Sequence, residues 1–208
     1  QHVDHLTAVL STLRSHSLFT KKEKCFFAQA EVPYLGHIIS GKGVTPDPDK
    51  IQAILRWPTP TNVTQVKAFL GLSGYYRKFI QQYESIVAPL SNLLAKAEFR
   101  WTTAAIEALD HLKHLLVSAP ILSLPNFSEL FVVETDASGV GIGVVLLQHE
   151  KPIAFFSRKL SPTIQRQSVY AWEMFAITSA VTKWRQYLLG AHFTIRIDHK
   201  SLHNLRNQ

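Results

Sequence analysis

Three carboxylates are spaced so that they could share a cation. Asp136 follows the apolar run Phe131-Val132-Val133, and Asp198 ends the alternating run Phe193, Ile195, Ile197. Glu173 falls within a helical stripe of Tyr170, Ile177, Val181, Trp184 and Leu188. The stripe puts Glu173 on or beside the helix face that packs on a sheet, where a lone carboxylate is costly to bury. Oxygen ligands of this kind favour Mg²⁺ or Mn²⁺, which keep several waters and take phosphate oxygens from a substrate. Two such ions about 3.5–4 Å apart can activate a water and stabilise the leaving oxygen in phosphodiester cleavage. Each acid also has a plainer role. Asp136-Ala137-Ser138-Gly139 is a turn opened by an acid, Glu173 can lie at the edge of its stripe, and Asp198 can cap a helix starting at Ser201. The joint placement, at strand end, helix face and strand end, points to a site. His199 and His203, spaced i, i+4, lack a second ligand pair and read as solvated helix histidines rather than transition-metal ligands.

The elements that must position these acids can be read from periodicity. Phe131–Val133, Gly143–Leu147 and Pro152–Phe156 read as strands of an antiparallel meander. A helix from about Gln167 to Leu188, ended by Gly190, leads to a fourth strand, His192–Asp198, and a last helix is expected near Ser201. If the first and fourth strands are parallel neighbours, as a helical crossover between them would require, Asp136 and Asp198 meet at one edge of the sheet.

Upstream, Leu6, Val9, Leu10 and Leu13 stripe a helix over His5–His16. Cys25-Phe26-Phe27 and Tyr34–Ile39 are β-prone runs around Glu31-Val32-Pro33, closed by the turn Gly41-Lys42-Gly43, and suggest a small hairpin. Asp47-Pro48 starts a helix that Trp57-Pro58 stops, and another starts near Thr61-Asn62. Gly71 and Gly74 are expected to break or bend that second helix before Tyr75–Phe79; further helices are expected at about Ile86–Lys96 and Thr103–Val117. Pro120 and Pro125 punctuate the change to β pattern, with a boundary near Asn126. The fold class is α/β (α+β) in two modules: a small hairpin (1–45) with a helical module (46–125), then a βββαβ(α) domain (126–208).

The chain has 208 residues, 46% of them hydrophobic, which is enough for packed cores. Cys25 is the sole cysteine, so no intrachain disulfide can form and a reducing compartment is the simplest expectation. No run approaches the ~20 apolar residues of a membrane span, and His2, Asp4 and His5 do not suit a signal peptide. With Gln1 in first place, the chain reads as an intracellular fragment of a longer protein. The net charge of +7 is distributed over both halves, and three of the six acids from Glu129 onward are those of the candidate site. The remaining surface is therefore basic and suits an anionic polymer.

The run Glu134-Thr135-Asp136-Ala137-Ser138-Gly139-Val140-Gly141-Ile142-Gly143 resembles the opening of the ribonuclease H domain in retrotransposon polyproteins of the Ty3/gypsy type. So do Tyr170-Ala171-Trp172-Glu173, Lys183-Trp184-Arg185-Gln186-Tyr187-Leu188-Leu189-Gly190 and Asp198-His199-Lys200-Ser201-Leu202. Tyr34-Leu35-Gly36-His37-Ile38-Ile39-Ser40 and Phe69–Ile80 resemble the end of the palm and the thumb of the adjoining reverse transcriptase.

The resemblance implies that Asp136, Glu173 and Asp198 are three of four carboxylates that hold two Mg²⁺ (or Mn²⁺) ions and cleave the RNA strand of an RNA–DNA hybrid. The fourth acid, the fifth strand and the last helix are expected beyond Gln208. Ile197 departs from the pattern, standing where a small hydroxyl residue often precedes the aspartate. The polymerase aspartates are expected upstream of Gln1. Tyr34, Gly36 and His37 would belong to the hairpin that holds the primer end, and Arg77 and Lys78 are phosphate-contact candidates; Tyr75, Tyr76 and Phe79 fit thumb core equally well. Implied partners are the hybrid, the DNA primer and template, the upstream palm and fingers and a downstream integrase, in cytoplasm, virus-like particle or nucleus. A catalytically silent nucleic-acid-binding remnant is the alternative. A transposase or integrase core is disfavoured, because its glutamate would lie on the last helix rather than ahead of the second aspartate.

Overall fold

A computed structural model describes residues 1–95 and 98–197 of a chain that falls into two units, Gln1–Val32 and Pro33–Gln208. The first unit opens with helix α1 (His2–Ser15). It ends where Ser17 adopts φ 56° and the Leu18 N–H reaches back to the Leu13 carbonyl at 2.9 Å, which satisfies a carbonyl that the last turn leaves free. A 3-10 turn (Lys22–Lys24) follows. Cys25-Phe26-Phe27 is not a strand, contrary to its β-prone composition, and both phenylalanines are exposed. Strand propensity reflects packing against neighbours, and among the described residues this run has no ladder partner.

Strand β1 (Glu31–Tyr34) straddles the division. In the second unit β2 (His37–Ser40) and β3 (Gly43–Pro46) form a hairpin in the register Ile38↔Thr45. Three helices then start on side-chain caps. Asp47 accepts from Asp49 N–H at the head of α2 (Pro48–Leu55), and Asn62 accepts from Gln65 N–H at the head of α3 (Val63–Tyr75). After α4 (Tyr83–Leu93), Thr102 accepts from Ala105 N–H and caps α5 (Thr103–Val117). Each such cap contributes about 1 kcal/mol.

Gly71 and Gly74 do not break α3, which runs through both to Tyr75. A glycine costs a helix only about 1 kcal/mol, and Val66 and Phe69, buried on its inner face, supply more than that. The break comes at Tyr76, before a 3-10 turn at Arg77–Phe79. Ile54, Phe69, Tyr76, Phe79, Leu90 and Leu112 lie at the centre of the first core.

The second sheet has the order β6-β5-β4-β7, built from β4 (Phe131–Ala137), β5 (Gly141–Gln148), β6 (Lys151–Lys159) and β7 (Phe193–Ile197). Neighbours β4, β5 and β6 are antiparallel, whereas β4 and β7 are parallel, with Thr135 opposite Ile197. The crossover from β6 to β7 contains α6 (Pro162–Gln165), α7 (Val169–Lys183) and α8 (Arg185–Leu188), and Trp184, out of helical conformation, divides the single helix expected there. Strand β5 is buried along its whole length because both sheet faces are covered, by α7 on one side and by α4 on the other. Its continuous apolar sequence fits that position. Adjacent residues of β6 divide between the layers, Phe155 packing on the first core and Phe156 on the second, which centres on Phe131, Val133, Ile142, Leu146 and Ala176. The βββαβ order and the parallel outer pair are those expected from the sequence.

Candidate functional site

Asp136 is the penultimate residue of β4, paired with Gly143 of β5, and is exposed. Strand alternation puts Phe131, Val133 and Thr135 on the α7 side, where they are buried, and Glu134 and Asp136 on the other. On that other side Gln82, from the segment leading into α4, donates from Nε2 to Asp136 Oδ2 at 2.6 Å. A β-carbon at Gly143 would stand 3.0 Å from the Gln82 Cγ, so the bare backbone at 143 makes room for the glutamine.

Glu173 lies in the second turn of α7, 4% exposed, in line with the buried Ala176 and Ala180. Its helix is pinned at the Asp136 end of the sheet. Ser168 caps α7, the Trp172 indole N–H donates to the Ile164 carbonyl at 2.7 Å, and the same indole lies over Gly139 in the turn after Asp136. Asp136 and Glu173 thus share one end of β4 but belong to opposite faces of it. Asp198, the third acid, lies outside the described residues, as does the helix expected from Ser201. Among the described residues no group of three His, Cys, Asp or Glu side chains is placed to hold a metal ion.

The Asp136 face opens into a cleft of about 380 Å³ that Gln81, Gln82, Glu134 and Arg196 also line. Arg196 donates to Glu134 at 3.0 Å and to both carboxylate oxygens of Glu150 at 2.7 and 3.0 Å. Those hydrogen bonds raise the guanidinium pKa and hold the Glu150 carboxyl below its ordinary range. The charge of Arg196 is therefore paired with two carboxylates at the cleft. Sequence patterns point to neither Gln82 nor this charge cluster, because Gln81-Gln82 is only a polar pair between apolar runs.

At the hairpin, Leu35 (φ 47°) and Gly36 (φ 72°) turn the chain from β1 into β2, and the phenols of Tyr75 and Tyr76 donate to the carbonyls of Leu35 and Gly36. A side chain at Gly36 would meet the Tyr76 hydroxyl at 3.0 Å, in addition to the unfavourable φ. His37 is buried at 7% exposure beneath the turn, its Nδ1 2.7 Å from the Leu35 carbonyl oxygen and its ring against Tyr75, Tyr76 and Phe79. Burial first, then the charge of Lys78, lowers its pKa. His37 thus supports the turn from within, and the outer surface is presented by Tyr34 and Leu35, 59% and 68% exposed. Arg77 is half-exposed and 3.8 Å from Glu84, and the Lys78 ammonium sits 5.3 Å from the Phe79 ring centre. Of the three aromatics, Tyr76 and Phe79 are core and Tyr75 is exposed.

The family described as an RNase H-like domain found in reverse transcriptase matches residues 101–195. Relatives of the whole chain are retrotransposon polyproteins. The chain is 40% identical over 209 residues to the retrovirus-related Pol polyprotein from transposon 297 of Drosophila melanogaster, an alignment that covers all of this chain and 20% of that protein. It is 38% identical to the transposon Tf2-3 polyprotein of Schizosaccharomyces pombe, over 97% of this chain and 16% of the relative. The chain therefore spans about a fifth or less of the length of these polyproteins. Its fold is similar to that of the foamy viral protease-reverse transcriptase dRH solved with double-stranded DNA, with a TM-score of 0.86 at 22% identity, over 100% of this chain and 38% of the other. It is similar to the same enzyme solved with an RNA/DNA hybrid, again at TM-score 0.86 and 22% identity, over 99% and 29% of the two chains. These relatives are of the kind the sequence motifs resemble. The match to the RNase H-like family begins at Trp101, so it takes in α5, a helix that packs on α4 rather than on the sheet.

Proposed function

We propose that this RNase H-like region, within its parent polyprotein, hydrolyses the RNA strand of an RNA–DNA hybrid, with Asp136, Glu173 and Asp198 as ligands for Mg²⁺ or Mn²⁺. The observation that carries this reading is the placement of an exposed carboxylate at the end of the central strand β4, with a carboxylate of 4% exposure on the crossover helix pinned beside the same turn. The donors are all carboxylate oxygens, a set whose chemistry suits a hard divalent cation. When bound, such ions polarise the phosphate, activate the attacking water and stabilise the leaving oxygen. Asp136, projecting into the cleft, would hold one oxygen position open to solvent, and Glu173 would supply a ligand fixed by helix packing. The hairpin surface at Tyr34 and Leu35, with Arg77 and Lys78 beyond it, would take the duplex backbone and orient the strand to be cut. Support for a duplex partner comes from the similar fold of an enzyme solved with double-stranded DNA and with an RNA/DNA hybrid. DNA polymerisation in the parent would belong to segments upstream.

The test is a labelled RNA–DNA hybrid incubated with Mg²⁺ and a polypeptide extended past Gln208 to include the fourth acid. RNA-strand cleavage that disappears in Asp136→Asn, with hybrid affinity retained, is the expected result. Binding without cleavage by the unsubstituted protein would leave the silent nucleic-acid-binding reading, and cleavage untouched by Asp136→Asn would remove Asp136 from the site.

A further inference from the structure

Gln82 is held in a conformation that serves its contact with Asp136. Its backbone is left-handed, φ 53° and ψ 31°, a region that costs a residue with a side chain roughly 1 kcal/mol or more. The segment around it is fixed on both sides. Ile80 and Tyr83 are buried, the Gln82 carbonyl accepts from Ser85 and Ile86 at the start of α4, and the Glu84 N–H donates to the Ser157 hydroxyl of β6 at 3.1 Å. With the backbone anchored, the side chain is the movable part. It occupies the space left by Gly143 and ends on Asp136 Oδ2, a lone pair that a cation would need. Strand alternation sets the face of β4 on which Asp136 lies, and the bond fixes how its carboxylate is turned on that face.

We propose that Gln82 is a positioning residue that holds Asp136 out of the ion-binding arrangement, so that a divalent cation binds only as the glutamine side chain is displaced. The proposal rests on reading Asp136 as a metal ligand. The amide is well suited to such a latch. It is an uncharged donor, so it orients the carboxylate at neutral pH yet gives way to a cation, whose bond to carboxylate oxygen is stronger.

The experiment is Mn²⁺ binding to the full 208-residue chain, read as loss of the free-ion electron paramagnetic resonance signal, with far-ultraviolet circular dichroism as the check of folding. Gln82→Gly removes the latch at a φ that glycine accepts, and Gln82→Asn, also tolerant of that φ, is one methylene too short to reach Asp136. Both variants are expected to bind Mn²⁺ about three- to fivefold more tightly than the unsubstituted chain, the scale of one exposed charged hydrogen bond. Asp136→Asn should weaken binding, and the gain from Gln82→Gly should vanish in its background. Unchanged or weaker Mn²⁺ binding in both Gln82 variants, with Asp136→Asn still weakening it, would overturn the latch and leave Asp136 as a ligand. Affinity indifferent to Asp136→Asn would instead remove the ligand assignment, and the latch with it.

Discussion

The Trp172 indole covers Gly139, its Cη2 3.4 Å from where a side chain at 139 would begin, while its N–H is donated to the Ile164 carbonyl at 2.7 Å. One residue thereby ties the head of α7 both to the turn after Asp136 and to α6. Trp172→Ala should destabilise the chain by about 2–4 kcal/mol, less than a fully buried tryptophan because the ring is half-buried. Urea denaturation followed by tryptophan fluorescence checks this; a loss below about 1 kcal/mol would mean that the indole only rests on the surface.

Two glycines should respond in opposite directions. At Gly141 a β-carbon would lie 2.9 Å from the Arg158 carbonyl oxygen, a backbone atom that cannot step aside without moving β6. Gly141→Ala should cost about 1–3 kcal/mol. At Gly71, inside α3, a β-carbon would meet nothing within 4 Å. Gly71→Ala should stabilise by about 0.5–1 kcal/mol, through helix propensity and a less flexible unfolded chain. Parallel thermal melts of the two variants decide both signs.

His37 gives the fold a pH dependence. Its pKa in the folded state is below the ordinary 6.5, chiefly through burial, and its Nε2 meets no hydrogen-bond partner among the described residues. The unfolded chain therefore takes up a proton first as pH falls. The stability linked to neutral His37 is fully present above about pH 6.5 and is lost as pH drops through the folded pKa. Denaturation at pH 8 and pH 5.5 should show a loss at the lower pH that shrinks in His37→Gln. An equal loss in both proteins would show that other groups carry it.

Arg77 is free enough to reach phosphate, since its link to Glu84 is long and half-exposed. Arg77→Ala should weaken binding of an RNA–DNA hybrid and reduce the slope of log affinity against log salt by roughly one contact's share, about 0.7–0.9. Fluorescence anisotropy at several salt concentrations measures it. A slope that stays the same would mean that Arg77 pairs with Glu84 and leaves the backbone alone.

The extent to which this arrangement was legible in the sequence differs from residue to residue. Asp47-Pro48 and Asn62 announce their helices because capping is local chemistry, read within four residues. The parallel pairing of β4 with β7 follows from a helix long enough to cross between them. By contrast, Gly71 and Gly74 signal a break that packing of Val66 and Phe69 overrides, and Cys25–Phe27 signals a strand that lacks a neighbour. The candidate site shows the same limit. Sequence places Asp136 at a strand end and Glu173 on a packed helix face, yet what Asp136 meets depends on what covers its side of the sheet. That cover includes Gln82, 54 positions away, and no periodicity connects the two.

The division of Phe155 and Phe156 between the two cores bears on how the second unit comes apart. A strand whose successive side chains are buried in different layers cannot leave one without exposing part of the other. The helical layer and the sheet should therefore lose structure in a single cooperative step, and neither is expected to persist as a separate folding intermediate.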